Sequence, residues 1–116
     1  MSRSVKVAVL GACGWMGKVH TMSYQNIPFI FGSDKGTAEI DGSAQALEKS
    51  GKLVPNAKLS TDWRVAVADP SVELVDICLP DSLHHEVAKA ALLTGKHVYC
   101  EKPLANTAAE ARELAD

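Results

Sequence analysis

Val5-Lys6-Val7-Ala8-Val9-Leu10-Gly11-Ala12-Cys13-Gly14-Trp15-Met16-Gly17 begins as a short β-branched run and breaks at a glycine. A run of this kind reads as a buried first strand of a parallel sheet, apolar throughout because helices cover both of its faces. The glycines then fall where a first strand hands over to a first helix. There they let the backbone turn sharply and approach a pyrophosphate, while the free amides of the helix start face the anion. The spacing is Gly-x-x-Gly-x-x-Gly, not the usual Gly-x-Gly-x-x-Gly. If Gly14 and Gly17 are the last two glycines of that fingerprint, its first position is Ala12; alternatively the turn is one residue longer. The motif points to a dinucleotide, with Gly11, Cys13, Gly14, Trp15 and Met16 at the ligand.

Outward from this turn, strands and helices alternate. Met16 to about Gln25 suits a helix that ends at Asn26-Ile27-Pro28, since the residue before proline avoids the helical region. Residues 28 to 37 read as a loop because of their Gly and Asp content. Thr37 to Asp41 is a weak second strand, Ser43 is placed to cap a helix reaching Gly51, and Ala57 to Ser60 is a short strand candidate. Asp62 caps Trp63 to Ala68, and Asp69-Pro70 ends that helix. Val72 to Leu79 is the second clear strand, closed by Pro80-Asp81. Leu83, Val87, Ala90, Ala91 and Leu92 follow at near-helical spacing, and Thr94-Gly95-Lys96 turns the chain into a strand from His97 to Cys100. Asn106 or Thr107 caps a last helix through Ala115. The alternation predicts an α/β fold with a doubly wound parallel sheet, as one domain over 1–116.

A dinucleotide fingerprint expects an acid about ~20 residues on, at the end of the second strand, for the ribose hydroxyls. Asp34 and Asp41 compete, and Asp41, which ends a strand-like segment, is preferred. The choice between NAD and NADP stays open. A second feature lies at the far end of the chain, where Cys100 runs into Glu101-Lys102-Pro103-Leu104. This delivers a carboxylate and an amine to the carboxyl edge of the sheet, where open α/β folds hold their ligands. The proline fixes its own φ and keeps Lys102 out of the helical region.

With 116 residues, 47% hydrophobic and 22% charged, the chain is sized for a single modest core. A formal net charge of -2 without long runs of one sign argues against nucleic acid or a membrane surface as partner. No apolar stretch approaches a membrane span, and the start lacks the long apolar region of a signal peptide. Three widely spaced cysteines fit a reducing compartment, so a cytoplasmic location is expected. Cys78 and Cys100 lie in strand-like runs and are expected to be buried as small hydrophobes. His84, His85, Glu86, His97 and Cys100 show no close pair with zinc-type spacing, so no metal is expected. His20, on the first helix, is expected to pack or hydrogen-bond locally.

Together these segments resemble the amino-terminal domain of the Gfo/Idh/MocA oxidoreductases. The resemblance runs from Val5 to about Ala115. It is carried by Gly14-Trp15-Met16-Gly17-Lys18-Val19-His20, Ser60-Thr61-Asp62-Trp63, Ala68-Asp69-Pro70, Val75 through His84, and Gly95 through Ala105. It implies a Rossmann domain for NAD or NADP, joined in full-length members to a carboxyl-terminal α/β domain, with sugars, cyclitols and related polyols as substrates. It also implies that Lys102 lies beside the nicotinamide and the substrate hydroxyl and assists proton transfer as a catalytic residue. Glu101, Leu79 and Pro80 match positions that contact the cofactor, and His84 matches a pattern histidine near that turn. From residue type alone, Glu101 could instead pair with a nearby lysine, and His84 could stabilise its helix start.

Leu79-Pro80-Asp81 departs from the usual Thr-Pro-Asn, and no aliphatic run closing on Asp stands between Thr37 and Gly51. The first turn is also similar to that of dihydrodipicolinate reductase, against which the Glu-Lys-Pro segment speaks. The resemblance places the acid/base histidine and most substrate contacts in a second domain beyond Asp116. Two functions are therefore expected: an NAD(P)-dependent oxidoreductase, or a dinucleotide-binding module without catalysis. The isolated chain is expected to bind the cofactor weakly and turn over no polyol; an oligomeric assembly is left open.

Overall fold

The structure, a computed structural model, describes residues 4–11, 14–32, 37–43, 59–60 and 62–116, with 37–43 and 59–60 described as backbone. Ala12, Cys13, Asp34 and the helix expected after Ser43 lie outside the described residues. The chain runs β1 (Ser4–Leu10), α1 (Trp15–Gln25), α2 (Ile27–Phe31), β2 (Thr37–Ser43), β3 (Leu59–Ser60), α3 (Trp63–Ala68) and β4 (Leu74–Ile77). A 3-10 turn (Asp81–Leu83), α4 (His84–Leu93), β5 (His97–Cys100) and α5 (Ala108–Ala115) complete it. The strands form one parallel sheet in the order β3-β2-β1-β4-β5. This is the Rossmann-like, doubly wound arrangement expected from the alternation.

The period-2 alternation of each strand divides the core between two faces. Ala8, Leu10, Val75 and Ile77 point to the face covered by α3 and α4, where they meet Val67, Val87, Ala88 and Ala91. Val7 and Val9 point the other way, to α1, and pack with Val5, Tyr24 and Leu74. Val7 to Leu10 are all buried, which accounts for the unbroken apolar run at the centre of the sheet. Each fully buried aliphatic side chain on these faces contributes about 1.5–3 kcal/mol.

Two helix caps are as expected: Asp62 Oδ1 accepts from the Arg64 amide at 3.0 Å, and Thr107 Oγ1 accepts from the Glu110 amide at 3.1 Å. Three elements differ from expectation. Residues 27–31 form α2 where a loop was expected, because Pro28 sits in the first turn, where its missing N–H leaves no intrahelical bond unmade. β2 runs on to Ser43, since the ladder to β1 from Ser4↔Thr37 to Val9↔Gly42 overrides its weak propensity. β4 is shorter than the apolar run suggests and stops at Ile77.

Register brings the functional segments to one edge. Leu10 is level with Ile77, and Ile77 with Cys100. The Cys78 amide donates to Leu10 O at 2.9 Å and the Glu101 amide to Ile77 O at 3.0 Å. The glycine turn, the Leu79-Pro80 turn and Glu101-Lys102 therefore leave three adjacent strands side by side.

Candidate functional site

Two glycines of the first turn are there for different reasons. Gly11 has φ +80, and a Cβ on it would lie 2.4 Å from Cys78 O, so its identity is set by the close passage of β4. Gly14 has an ordinary extended backbone, φ -73 and ψ 168, and a Cβ there would meet only Gly11 O, at 3.4 Å, among the described residues. Packing does not demand a glycine at 14, whereas a ligand lying against the turn would.

Gly14 is also the N-cap of α1, with no side-chain cap and no acidic residue in the first turn. The amides that open the helix are thus left to an anion. Trp15 and Met16 follow, 81% and 40% exposed, flanking the same mouth. A site shaped this way fits a dinucleotide pyrophosphate. Asp41 stands opposite Ala8 on β2, on the side of β1 away from β4, two residues before the end of its strand.

At the β4 edge, Leu79 and Pro80 lead into the 3-10 turn that Pro80 caps. His84 does not face the open edge. It is 1% exposed, with Nδ1 2.5 Å from Pro103 O and Nε2 2.9 Å from Leu79 O. The expected cofactor contact from His84 is therefore replaced by a staple: burial and two carbonyl partners occupy both ring nitrogens, and the ring ties the Leu79 turn to the Lys102–Pro103 segment. The Lys102–Pro103 peptide bond is cis. Lys102 is exposed, and its amine has no hydrogen-bond or ion-pair partner among the described residues.

Glu101 pairs with no lysine among the described residues. Its Oε1 lies 2.8 Å from His20 Nε2, on the α1 face. His20 in turn places Nδ1 2.8 and 2.9 Å from the two oxygens of Asp76, which is 0% exposed and also accepts from Tyr24 Oη at 2.6 Å. His20 packs, as one of its two expected states, against Tyr99, but its hydrogen bonds are not local: its partners are 56 and 81 residues away. The signals were an Asp inside the apolar run Leu74-Val75-Asp76-Ile77, and a His and a Tyr four residues apart on one helical face.

Burial, then the hydrogen bond to Asp76 and its charge, pushes the Tyr24 hydroxyl up. The Cys78 thiol is pushed up by burial and by the Asp76 charge, and Cys100 goes up to about 11 for the same reasons. His20, Asp76 and Cys78 hold ligand-type atoms within 4.8 Å of one another. Hydrogen bonds already occupy His20 and Asp76, however, and a raised thiol opposes the thiolate that a metal takes.

A glycine turn opening a helix at the carboxyl edge of a parallel sheet is the arrangement of Rossmann-type dinucleotide-binding domains. The family model for the oxidoreductase family with an NAD-binding Rossmann fold matches residues 5–116, and the chain belongs to that Gfo/Idh/MocA family. It is 36% identical over 120 residues to levoglucosan dehydrogenase of Pseudarthrobacter phenanthrenivorans, covering 98% of this chain and 30% of that protein. It is 33% identical to inositol 2-dehydrogenase of Agrobacterium fabrum, covering 97% and 33%. The structure of levoglucosan dehydrogenase in complex with NADH and levoglucosan superimposes with a TM-score of 0.84 at 34% identity, over 97% of this chain and 31% of that one. The chain thus spans about a third of the relatives it matches. No described helix is long and apolar enough to cross a membrane.

Proposed function

We propose that this chain is the dinucleotide-binding, lysine-bearing part of an NAD(P)-dependent oxidoreductase acting on a sugar, cyclitol or related polyol. The observation that carries the reading is the juxtaposition at one sheet edge of an uncapped helix start behind Gly14 and the amine of Lys102, which has no partner among the described residues. In the reading, the α1 amides hold the pyrophosphate, Trp15 and Met16 flank it, and Leu79, Pro80 and Glu101 border the nicotinamide end. Asp41 is the candidate partner of the ribose hydroxyls.

A bound nicotinamide would supply the hydride acceptor or donor for a carbinol carbon. Lys102 directs its amine at the hydroxyl on that carbon and orients it for loss of its proton. Its exposure, and the lack of an ion pair among the described residues, support this role. The His84 staple keeps the two turns together, so that the segment carrying Lys102 cannot drift from the β4 edge. The three widely spaced cysteines fit a reducing, cytoplasmic setting.

The test is Lys102→Met in the whole oxidoreductase of which this chain is the proposed part, assayed for dinucleotide affinity and for NAD(P)+ reduction with a panel of polyols. NADH affinity is expected to stay within about threefold while turnover falls about 100-fold, the scale of a lost proton-transfer group. A Lys102→Met protein as active as its parent would overturn the role of Lys102. Binding without turnover of any polyol by the parent would favour the second reading, a module that binds dinucleotide without catalysis.

A further inference from the structure

Asp76 is the one carboxylate in the buried set of the described residues, and three donors converge on it. Tyr24 Oη donates at 2.6 Å and Cys78 Sγ at 3.4 Å, while His20 Nδ1 faces both oxygens. A buried carboxylate demands such partners, and each one that swings away costs it a hydrogen bond it cannot replace from water. The His20 ring is therefore locked through Nδ1. The Tyr99 ring lies against it as well, with centroids 5.4 Å apart and planes at 49°. With the ring fixed on one side, Nε2 has one direction left, and Glu101 Oε1 sits there at 2.8 Å.

Glu101 immediately precedes Lys102. A carboxylate released from His20 would share the open edge with that amine and could lend it a negative neighbour, at little gain in stability. In the structure the two do not pair: Glu101 is drawn to the α1 face, and Lys102 remains without a partner among the described residues. α1 is also the helix whose start bears the glycine turn. One imidazole thus ties the helix at the pyrophosphate end to the strand end that carries the lysine.

From this geometry we infer that His20 is a positioning residue which, anchored by Asp76 and Tyr24, holds Glu101 off Lys102 and so keeps the lysine amine available. The value of an available amine rests on the oxidoreductase reading above; the arrangement itself does not.

Two measurements, both made without substrate or dinucleotide, test it. In the first, the rate of amine labelling at Lys102 is followed by peptide mass spectrometry at fixed pH and normalised to exposed Lys89. His20→Gln is expected to slow Lys102 labelling about threefold, the effect of half a pKa unit from a new carboxylate neighbour. His20→Gln combined with Glu101→Gln is expected to restore it. Unchanged or faster labelling in a folded His20→Gln protein would overturn the inference, and so would a failure of the second change to restore the rate.

The second measurement needs no change at His20. Glu101→Gln alters a partly exposed side chain, so the fold is expected to survive. The side-chain nitrogen resonances of His20 should shift in this variant while those of His84 stay in place. If the His20 resonances do not move, the His20–Glu101 contact is absent in solution and the inference fails. Lack of dehydrogenase activity would instead overturn the proposed function and leave these readouts intact.

Discussion

β4 serves two faces with the same four residues. Toward α3 and α4 it sends Val75 and Ile77, both 0% exposed, into a wholly aliphatic cluster with Leu10, Val87 and Ala91. Toward α1 it sends Leu74 and Asp76, and there the contacts turn polar, through Tyr24, His20 and Glu101. An open cleft of about 400 Å³, lined by His20, Ser23, Tyr24, Leu74, Val98 and Tyr99, lies on this second face. The first face holds the sheet together. The second spends burial on orientation, fixing a few side chains relative to the edge where the lysine stands.

The seam between the faces should be the most sensitive point. Gly11→Ala forces a methyl group against the Cys78 carbonyl at a left-handed φ, and is expected to cost about 4 kcal/mol or more, read from chemical denaturation. Ile77→Ala, on the aliphatic face, should cost about 3 kcal/mol in the same assay. Asp76→Asn keeps the shape of the polar face but weakens charge-assisted bonds, for about 2 kcal/mol. If Asp76→Asn proved as costly as Ile77→Ala, or costlier, the division of labour between the faces would be wrong.

The smallest effect concerns pH. The Cys100 thiol ionises at about 11 in the fold against an ordinary value of 9.0, chiefly through burial. Between these values the unfolded chain has lost a proton that the folded chain keeps, so stability declines as pH rises from about 9 to about 11. The denaturation midpoint of Cys100→Ala should fall less steeply than that of the parent over this range. Equal slopes would contradict the raised ionisation of this partly buried thiol.

The sequence made the aliphatic face largely legible. β1 and β4 announce themselves as short branched apolar runs at the centre of the sheet, β5 follows from the Thr94-Gly95-Lys96 turn before it, and Asp62 and Thr107 signal caps through purely local bonds. Local reading failed where pairing decided the outcome. β2 extends because β1 offers a ladder, and α2 forms because Pro28 falls at a helix start, not within a turn. Of the site, the glycine turn and Lys102 could be read directly. The His20–Asp76–Glu101 chain could not, since it exists only once β4 lies between β1 and β5 under α1. Nor could the staple of His84, whose two acceptors are backbone carbonyls that carry no mark in the sequence.

The claim that the carboxyl edge is a dinucleotide site is tested most directly by titrating NADH into the folded protein and into Gly14→Val by calorimetry. The variant should remain folded, at a cost of about 1 kcal/mol for a poorer N-cap, because the described structure leaves room for the added side chain. Binding by the parent and at least tenfold weaker binding by Gly14→Val is the predicted result. No binding by a folded parent, or equal affinity in the two proteins, would contradict it.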